Sequence, residues 1–303
     1  MGKLIDLHVH TTASDGDYSP EEIVKKAKEA GLSAIAISDH DSVGSIEKAI
    51  HAGNKIGVEV VPAVELTTYW SKKDNKEFHI LGYYFDYKNE ELLSVLEKCQ
   101  RSREDRAKKI VEKLNELGFV ITYEEVDELA KGSIGMPHVA DVAIKKIENK
   151  KKFIDIFGKI PDVKEFIHEF MIIGKPAYTK KYAIEPFDAI DLIHKMGGGV
   201  AVLAHPCWDV PFGDESIIKQ FADWGIDGIE AIQGRETKEE SEKYIKYFSE
   251  MARKYNLIIT GGSDFHSDKD GKPGGDRGLG LLKWNMKIPY EILKNLQNKK
   301  IIK

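Results

Sequence analysis

The side chains of this chain that could do chemistry together are His8-Val9-His10 with Asp15, Asp39-His40, Glu65, His79, His205-Pro206 and Asp264-Phe265-His266. Imidazoles and carboxylates without a thiolate form the donor set of catalytic Zn, Mn or Fe rather than of a closed structural zinc site. His8 and His10 stand two apart, which on a strand puts both side chains on one face. Asp15 follows closely enough in the chain to join them. His8, His10, Asp15, His40, Glu65, His79, His205, Asp264 and His266 are too many candidate ligands for one ion. Two to three divalent metals with bridging carboxylates are therefore expected. A single HxH or a lone histidine would mean little, because most histidines are packed or surface residues. Clusters that end successive apolar runs are much harder to produce by chance.

The elements that must position these residues alternate. Leu4–Val9 is a short apolar run, and Ser19-Pro20-Glu21-Glu22 opens a helix with a serine cap, proline at the first position and acids in the first turn. That helix runs to Ala30-Gly31, where glycine stops it. Ala34–Ser38 reads as a strand, Ser45–Ile56 as a helix, Glu59–Val64 as a third strand and Phe78–Phe85 as a further apolar run. Strands separated by such helices imply βαβ units and a parallel sheet. Ligands at the C-terminal ends of several strands then meet at one mouth of a barrel. From Glu90 to Ile184 the pattern changes to a charged, mostly helical stretch, with Leu92, Leu93, Leu96, Ile110, Val111 and Leu114 at helical spacing. The alternation resumes with helices over Phe187–Met196, Glu215–Trp224, Lys238–Tyr255 and Tyr290–Asn298, and strands over Gly199–Ala204, Gly228–Ile232 and Leu257–Thr260. The expected organisation is an α/β barrel from residues 1–89 and 185–303 carrying the metal site, with 90–184 as a helical insertion covering it.

At 303 residues the chain has room for a barrel of about 250 residues plus an insertion. A net charge of −5 argues against broad nonspecific nucleic-acid binding, which depends on many Lys/Arg–phosphate contacts. It leaves room for a phosphorylated substrate, because bound metals dominate the local field. Cys99 and Cys207 form no CxxC pair and no disulfide framework, so a reducing compartment is expected. No signal-peptide pattern precedes the first strand, and no apolar run approaches the roughly 18 residues of a membrane span. The expectation is a cytoplasmic protein without a membrane partner.

His8-Val9-His10-Thr11-Thr12-Ala13-Ser14-Asp15-Gly16, Ser38-Asp39-His40-Asp41, Val64-Glu65-Leu66, Ala204-His205-Pro206 and Gly262-Ser263-Asp264-Phe265-His266 resemble the motifs of the PHP (polymerase and histidinol phosphatase) family. The Ser-Asp-Gly after HxH and the helical insertion are similar to its nucleotide-phosphoesterase branch, the 3′,5′-nucleotide bisphosphate phosphatases and short-RNA 5′→3′ exoribonucleases. The resemblance covers most of the chain. It implies a distorted (β/α)7 TIM-like barrel with a trinuclear centre. His8, His10, Glu65 and Asp264 would hold one metal, Glu65, His79 and His205 a second, and Asp15, His40 and His266 the third. Glu65 is the natural bridge, having two oxygens to share. Asp39 is expected to serve catalysis by orienting a ligand imidazole.

The branch also resembles this chain in Arg103-Glu104-Asp105-Arg106-Ala107, which implies that Arg103 and Arg106, three apart on one helix face, grip substrate phosphate. The plainer reading is a solvated charged face, with Arg101 on another side. His138, in Gly135-Met136-Pro137-His138, matches a branch position near substrate phosphate, against a packed or capping histidine. Branch members commonly carry Arg where Met136 stands. His51, His168 and His194 read as structural. Trp208 reads as a packed aromatic more readily than as a stacking surface for a base. Gly261-Gly262 and Gly274-Gly275 read as turns near the site. The expected function is metal-dependent hydrolysis of a phosphate ester of a small substrate, a bisphosphate nucleotide or short oligonucleotide. The rivals are histidinol-phosphate phosphatase, a non-phosphate metallohydrolase with a carbamylated lysine bridge, and a non-catalytic scaffold or binding module.

Overall fold

The first strand, β1 (Leu4–Val9), leads into a helix whose start follows from its sequence. Ser19 Oγ accepts the Glu22 amide while the Glu22 carboxylate accepts the Ser19 amide, a reciprocal cap at the head of α1 (Pro20–Glu29). Pro20, Ile23, Val24 and Ala27 form its buried stripe, and Gly31 takes the positive φ that turns the chain into β2 (Leu32–Ile37). Then come α2 (Ile46–Ile56), β3 (Glu59–Trp70) and β4 (Lys76–Tyr83). The helices α3 (Glu90–Glu116), α4 (Tyr123–Ala130), α5 (Met136–Lys145), α6 (Lys150–Phe157) and α7 (Val163–Phe170) follow. The chain continues through α8 (Pro186–Lys195), β5 (Val200–Leu203), α9 (Pro206–Asp209), α10 (Glu215–Asp223), β6 (Gly228–Ile232), α11 (Lys238–Lys254), β7 (Ile258–Gly261), β8 (Ile288–Pro289) and α12 (Glu291–Ile302). The computed structural model describes residues 3–73, 76–130, 132–268, 278–280 and 286–302; Gly274-Gly275 lies outside them.

Among the described residues the strands form one sheet in the order β7-β6-β5-β4-β3-β2-β1-β8. The sheet curls: Tyr83 Oη on β4 donates to the Leu7 carbonyl on β1 at 2.8 Å, although those strands are not neighbours in it. Past β7, Phe265 pairs with Val9, with the His10 amide donating to the Phe265 carbonyl at 2.9 Å. The result is a nearly closed α/β barrel.

Two features differ from a simple parallel expectation. β3 runs on past Glu65 to Trp70 and pairs antiparallel with β4, placing Thr67 opposite His79, and β4 is also antiparallel to β5. Glu65 and His79 therefore sit within a long hairpin rather than at strand ends. The β-branched and aromatic residues Thr67, Thr68, Tyr69 and Trp70 favour that extension. β8 pairs antiparallel with β1 at the other side.

The helices between β4 and β5 have a core of their own. Phe119 lies 5.6, 5.3 and 5.0 Å from Phe153, Phe166 and Phe170, and Ile110, Leu114, Val126 and Val139 complete the cluster. The chain rejoins the barrel where Ile184 bridges to Thr68.

Candidate metal centre

Glu65 stands at the centre, fully buried on β3. Its Oε2 lies 3.2 Å from His8 Nε2, 3.2 Å from His10 Nε2 and 3.0 Å from His40 Nδ1. Its Oε1 lies 2.9 Å from His79 Nδ1 and 3.0 Å from His205 Nε2. Asp264 Oδ1 faces the same His8 and His10 nitrogens at 3.4 and 3.2 Å. Asp15 Oδ1 is 3.2 Å from His266 Nε2 and 3.8 Å from His10 Nδ1. The nine candidate ligands read from the sequence thus converge in one place. Donor atoms fall within 4.8 Å of one another in three sets: His8, His10, Glu65 and Asp264; His10, Asp15, His40 and His266; and His40, Glu65 and His79. His205 joins through its contact with Glu65.

This arrangement fits cations. His8 Nε2 and His10 Nε2 face each other at 3.1 Å across two carboxylates. Among the described residues, Asp15 Oδ1, His40 Nδ1 and Glu65 Oε2 are buried without a hydrogen-bond partner; His40 and Glu65 approach closely but are not aligned as donor and acceptor. Such orphaned donor atoms are costly unless something positive lies between them.

A ring of outer acids orients the imidazoles. Glu230, buried on β6, brings both oxygens to 3.1 Å from His8 Nδ1 and accepts the His205 amide at 2.8 Å. Asp209 takes His205 Nδ1 at 2.8 Å, and Glu77 takes His79 Nε2 at 3.1 Å. His8, His79 and His205 therefore each turn one nitrogen to the centre and the other to an outer carboxylate, the arrangement that fixes tautomer and raises ligand basicity. Asp6 holds the loop before Asp264 by accepting from the Ser263 amide at 2.9 Å and from its hydroxyl. Sequence reading missed Glu230, Asp6, Asp209 and Glu77. The available signal was an acid within an apolar strand, as in Gly228-Ile229-Glu230-Ala231-Ile232.

Electrostatics follow the geometry. Burial opposes charge on His8, but Glu230, Glu65 and Asp264 overcome it and raise its pKa well above the usual imidazole value. For His10, burial is outweighed by Asp264 and Glu65, which bring it to about 10. For His79, burial is outweighed chiefly by Glu65, which brings it to about 9. Burial wins at His40, which is held well below the usual imidazole value. At Glu65, burial is overcome by His40, His8 and His79, so its carboxylate stays ionised far below the usual range.

The backbone is shaped for this purpose. His205 and Asp264 adopt positive φ of 26° and 54°, unusual for residues with a Cβ and frequent where a side chain must be aimed. At Gly262 a Cβ would lie 2.2 Å from His8 Cβ and 2.7 Å from a Glu230 oxygen, so only glycine lets the chain leaving β7 pass β1 there.

Several candidates take places other than those expected. Asp39 is turned away from the cluster: its oxygens accept from the Thr11 amide (2.7 Å), Thr11 Oγ1 (2.8 Å), Ser14 Oγ (2.7 Å) and Ser45 Oγ. It holds the loop that carries Asp15, and reaches His10 through Ser14, 3.4 Å from His10 Nδ1. His138 Nδ1 accepts the Gly135 amide at 3.1 Å at the head of α5, the capping alternative. Arg103 and Arg106 are no solvated face, being 4% and 6% exposed, whereas Arg101 is exposed and paired with Glu97. Arg103 is committed to Asp41 through Nε at 2.7 Å and Nη2, and to Thr67 Oγ1 at 2.8 Å. Trp208 is 44% exposed rather than packed, with the Arg235 guanidinium 4.3 Å from its ring centroid. His51 and His168 are exposed on helices, and His194 pairs with Asp227, all outside the cluster. Among the described residues no helix is long and apolar enough to cross a membrane.

Comparison with known proteins agrees with this site. The PHP domain model matches residues 6–157. The chain is 31% identical to a 5′-3′ exoribonuclease of Haemophilus influenzae over 88% of its own length and 91% of that protein's. It is 26% identical to a 3′,5′-nucleoside bisphosphate phosphatase of Chromobacterium violaceum, covering 88% of each. A solved structure from Bifidobacterium adolescentis shares the fold over 98% of this chain and 96% of its own, with a TM-score of 0.79 at 24% identity. With a metal-ready cluster at the barrel mouth and likeness to phosphoester hydrolases along its length, the chain belongs to the PHP family and is one of its metal-dependent phosphoesterases.

Proposed function

We propose that the chain hydrolyses a phosphate ester of a nucleotide, taking either a 3′,5′-bisphosphate nucleotide or a short oligonucleotide. The observation that carries this reading is the convergence of five imidazoles on the two oxygens of Glu65, beside buried guanidinium groups on α3. Two to three divalent ions are assigned to the cluster. His8, His10, Glu65 and Asp264 would hold one, Glu65, His79 and His205 a second, and Asp15, His40 and His266 the third. The observed donor sets support this division and offer His10 and His40 as shared donors. The mixture of imidazole and carboxylate suits Mn, Fe or Zn. When bound, such ions polarise phosphoryl oxygens and lower the pKa of water toward neutrality.

The protein's own contribution is positional. Glu65 and Asp264 hold negative charge fixed at the centre, and Glu230, Asp209 and Glu77 keep the imidazoles turned inward. Asp39 keeps the Thr11–Asp15 loop in place. The helices of 90–184 act as a cap that brings Arg106 over the β3–β4 hairpin. Buried free thiols at Cys99 and Cys207 support a reducing, cytoplasmic setting.

Trp208 favours the oligonucleotide within this reading. It stands three residues beyond His205, exposed, with a cation on one face, and a neighbouring base could stack there. The deciding experiment compares phosphate release from adenosine 3′,5′-bisphosphate, AMP, histidinol phosphate and an aryl phosphate, and nucleotide release from RNA oligomers, with Mn²⁺ and with chelator. Chelator-sensitive turnover of a nucleotide ester is expected. A preference for histidinol phosphate would overturn the substrate class, and no turnover of any ester would favour a non-catalytic module.

A further inference from the structure

Where the chain leaves β5 and β6 at the barrel mouth, aromatic rings and cations alternate along an open ledge. His205 sits between β5 and α9, and its carbonyl accepts the Trp208 amide at 3.0 Å. The Trp208 ring is therefore one turn of chain from an imidazole that lies 3.0 Å from Glu65. Arg235 comes from the segment after β6. Its guanidinium carbon lies 4.3 Å from the Trp208 ring centroid and 4.7 Å from that of Tyr244 on α11. Phe212 follows, 5.2 Å from Tyr244 and 4.8 Å from Tyr247, with Lys243 Nζ 4.0 Å from its centroid. The ledge is fixed from behind, because Arg235 Nη1 donates to the Cys207 carbonyl at 2.9 Å and its amide to Ser241 Oγ at 2.8 Å. Yet Trp208 and Phe212 stand 44% and 43% exposed, forgoing the burial that rings of this size usually gain.

We propose that Trp208, Phe212, Arg235 and Lys243 form a stacking ledge for the nucleotides beyond the reacting one, and that this ledge makes the enzyme favour single-stranded oligonucleotides over mononucleotides. The inference rests on the nucleotide-ester reading above and extends it from one ring to a surface that reads chain length. Rings interleaved with cations suit an occupant that carries flat bases and phosphates on one strand. An apolar protein surface would instead cover Arg235 and Lys243 without giving their charges a partner. The place in the fold fits as well. Both the turn after His205 and the segment after β6 leave the barrel at the end that carries the metal ligands, so a strand engaged at the cluster reaches the ledge directly. Stacking is tolerant of sequence, and only two cations are involved. Such a surface binds a few nucleotides without making a protein of net charge −5 a general nucleic-acid binder.

The test uses Trp208→Ala, Trp208→Tyr, Phe212→Ala and Lys243→Gln in the full chain. Binding of 5′-phosphorylated tetraadenylate to the metal-stripped protein is measured by calorimetry over a series of salt concentrations. With Mn²⁺, kcat/KM is measured for the same oligomer and for adenosine 3′,5′-bisphosphate. Trp208→Ala should weaken oligomer binding by about tenfold, the scale of one lost base stack. It should lower the oligomer-to-bisphosphate ratio of kcat/KM by a similar factor. Phe212→Ala should act in the same direction, and Trp208→Tyr should restore most of the binding. Lys243→Gln should reduce the salt slope of binding by about 0.7, the share of one phosphate contact on a single strand. The two rings are half out of water, so the variants should melt close to wild type. Unchanged oligomer binding in Trp208→Ala, or equal losses on oligomer and bisphosphate, would overturn the proposal. Unchanged oligomer binding together with lost self-association would assign the ledge to protein contact and overturn it too. The binding measurement needs no turnover, so failure of the hydrolytic reading and failure of the ledge are separate results.

Discussion

Glu230→Gln tests whether the outer acids build the metal site. Glu230 is fully buried, spans His8 Nδ1 with both oxygens at 3.1 Å, and accepts from the His205 amide at 2.8 Å and Gln233 Nε2 at 3.1 Å. Glutamine keeps the volume and one acceptor oxygen, so the fold should persist, but it removes the charge that sustains His8 as a donor. A charge-assisted hydrogen bond to an imidazole is worth about 1.5–3 kcal/mol. Loss of an acid behind a metal-bound histidine weakens metal binding about 10–100-fold, or about 1.4–2.7 kcal/mol. The two figures agree. Competition between the protein and a calibrated chelator for Mn²⁺ or Zn²⁺ gives the affinity, and melting in excess chelator reports on the fold alone. The expected result is a tenfold or larger loss of affinity with little change in the metal-free melting temperature. Wild-type affinity in this variant would refute the reasoning. Matched losses of affinity and metal-free stability would show instead that Glu230 serves the barrel.

Other changes separate ligands, packing and charge. Glu65→Gln should lose metal and activity together, since five imidazoles share its two oxygens; wild-type levels of both by elemental analysis and assay would end its bridging role. Gly262→Ala forces a Cβ to within 2.2 Å of His8 Cβ, so bound metal should fall sharply although no ligand is altered. Phe119→Ala opens the aromatic core of the helices between β4 and β5 and should cost about 3–5 kcal/mol in denaturant unfolding, leaving metal content near wild type.

The inner site is legible in the sequence because its residues are polar groups that close or interrupt apolar runs, a pattern that packing alone does not produce. The capped start of α1 and the helical character of 90–184 are legible from capping residues and periodicity. The β3–β4 hairpin is not, because Glu59–Val64 already reads as a complete buried strand and nothing local announces that Leu66–Trp70 will extend it. The outer acids are hidden for a different reason. Glu230 lies far along the chain from the His8 it supports, and only barrel closure brings them together. Asp39, expected to orient a ligand imidazole, meets His10 through Ser14 and not directly. The short side chains of Thr11, Ser14 and Ser45 saturate its oxygens first, and they are unremarkable in sequence.

Arg103 and Arg106 look interchangeable in sequence, but they cannot be treated as one element. The helices between β4 and β5 have their own apolar core, and their link to the barrel beside the metal cluster is polar: Arg103 to Asp41 and Thr67. Asp41 directly follows His40, takes a positive φ of 49°, and its amide donates to the Glu65 carbonyl at 2.9 Å. Arg103 therefore anchors the turn that aims His40 and sits against the strand that carries Glu65. Burial opposes the Asp41 charge and Arg103 is the largest influence against it, so removing the guanidinium strips a buried carboxylate of its principal counter-charge and leaves it the Thr67 amide at 2.9 Å. Arg103→Ala should lower metal affinity and kcat as well as raise KM, on every substrate. Arg106 carries no such duty, and Arg106→Gln should act on a second phosphate alone. A double variant would confound the two. The informative comparison is metal affinity in the single variants: loss in Arg103→Ala and retention in Arg106→Gln assigns one arginine to the site's architecture and the other to its substrate. Equal retention in both would return Arg103 to the role its sequence suggests.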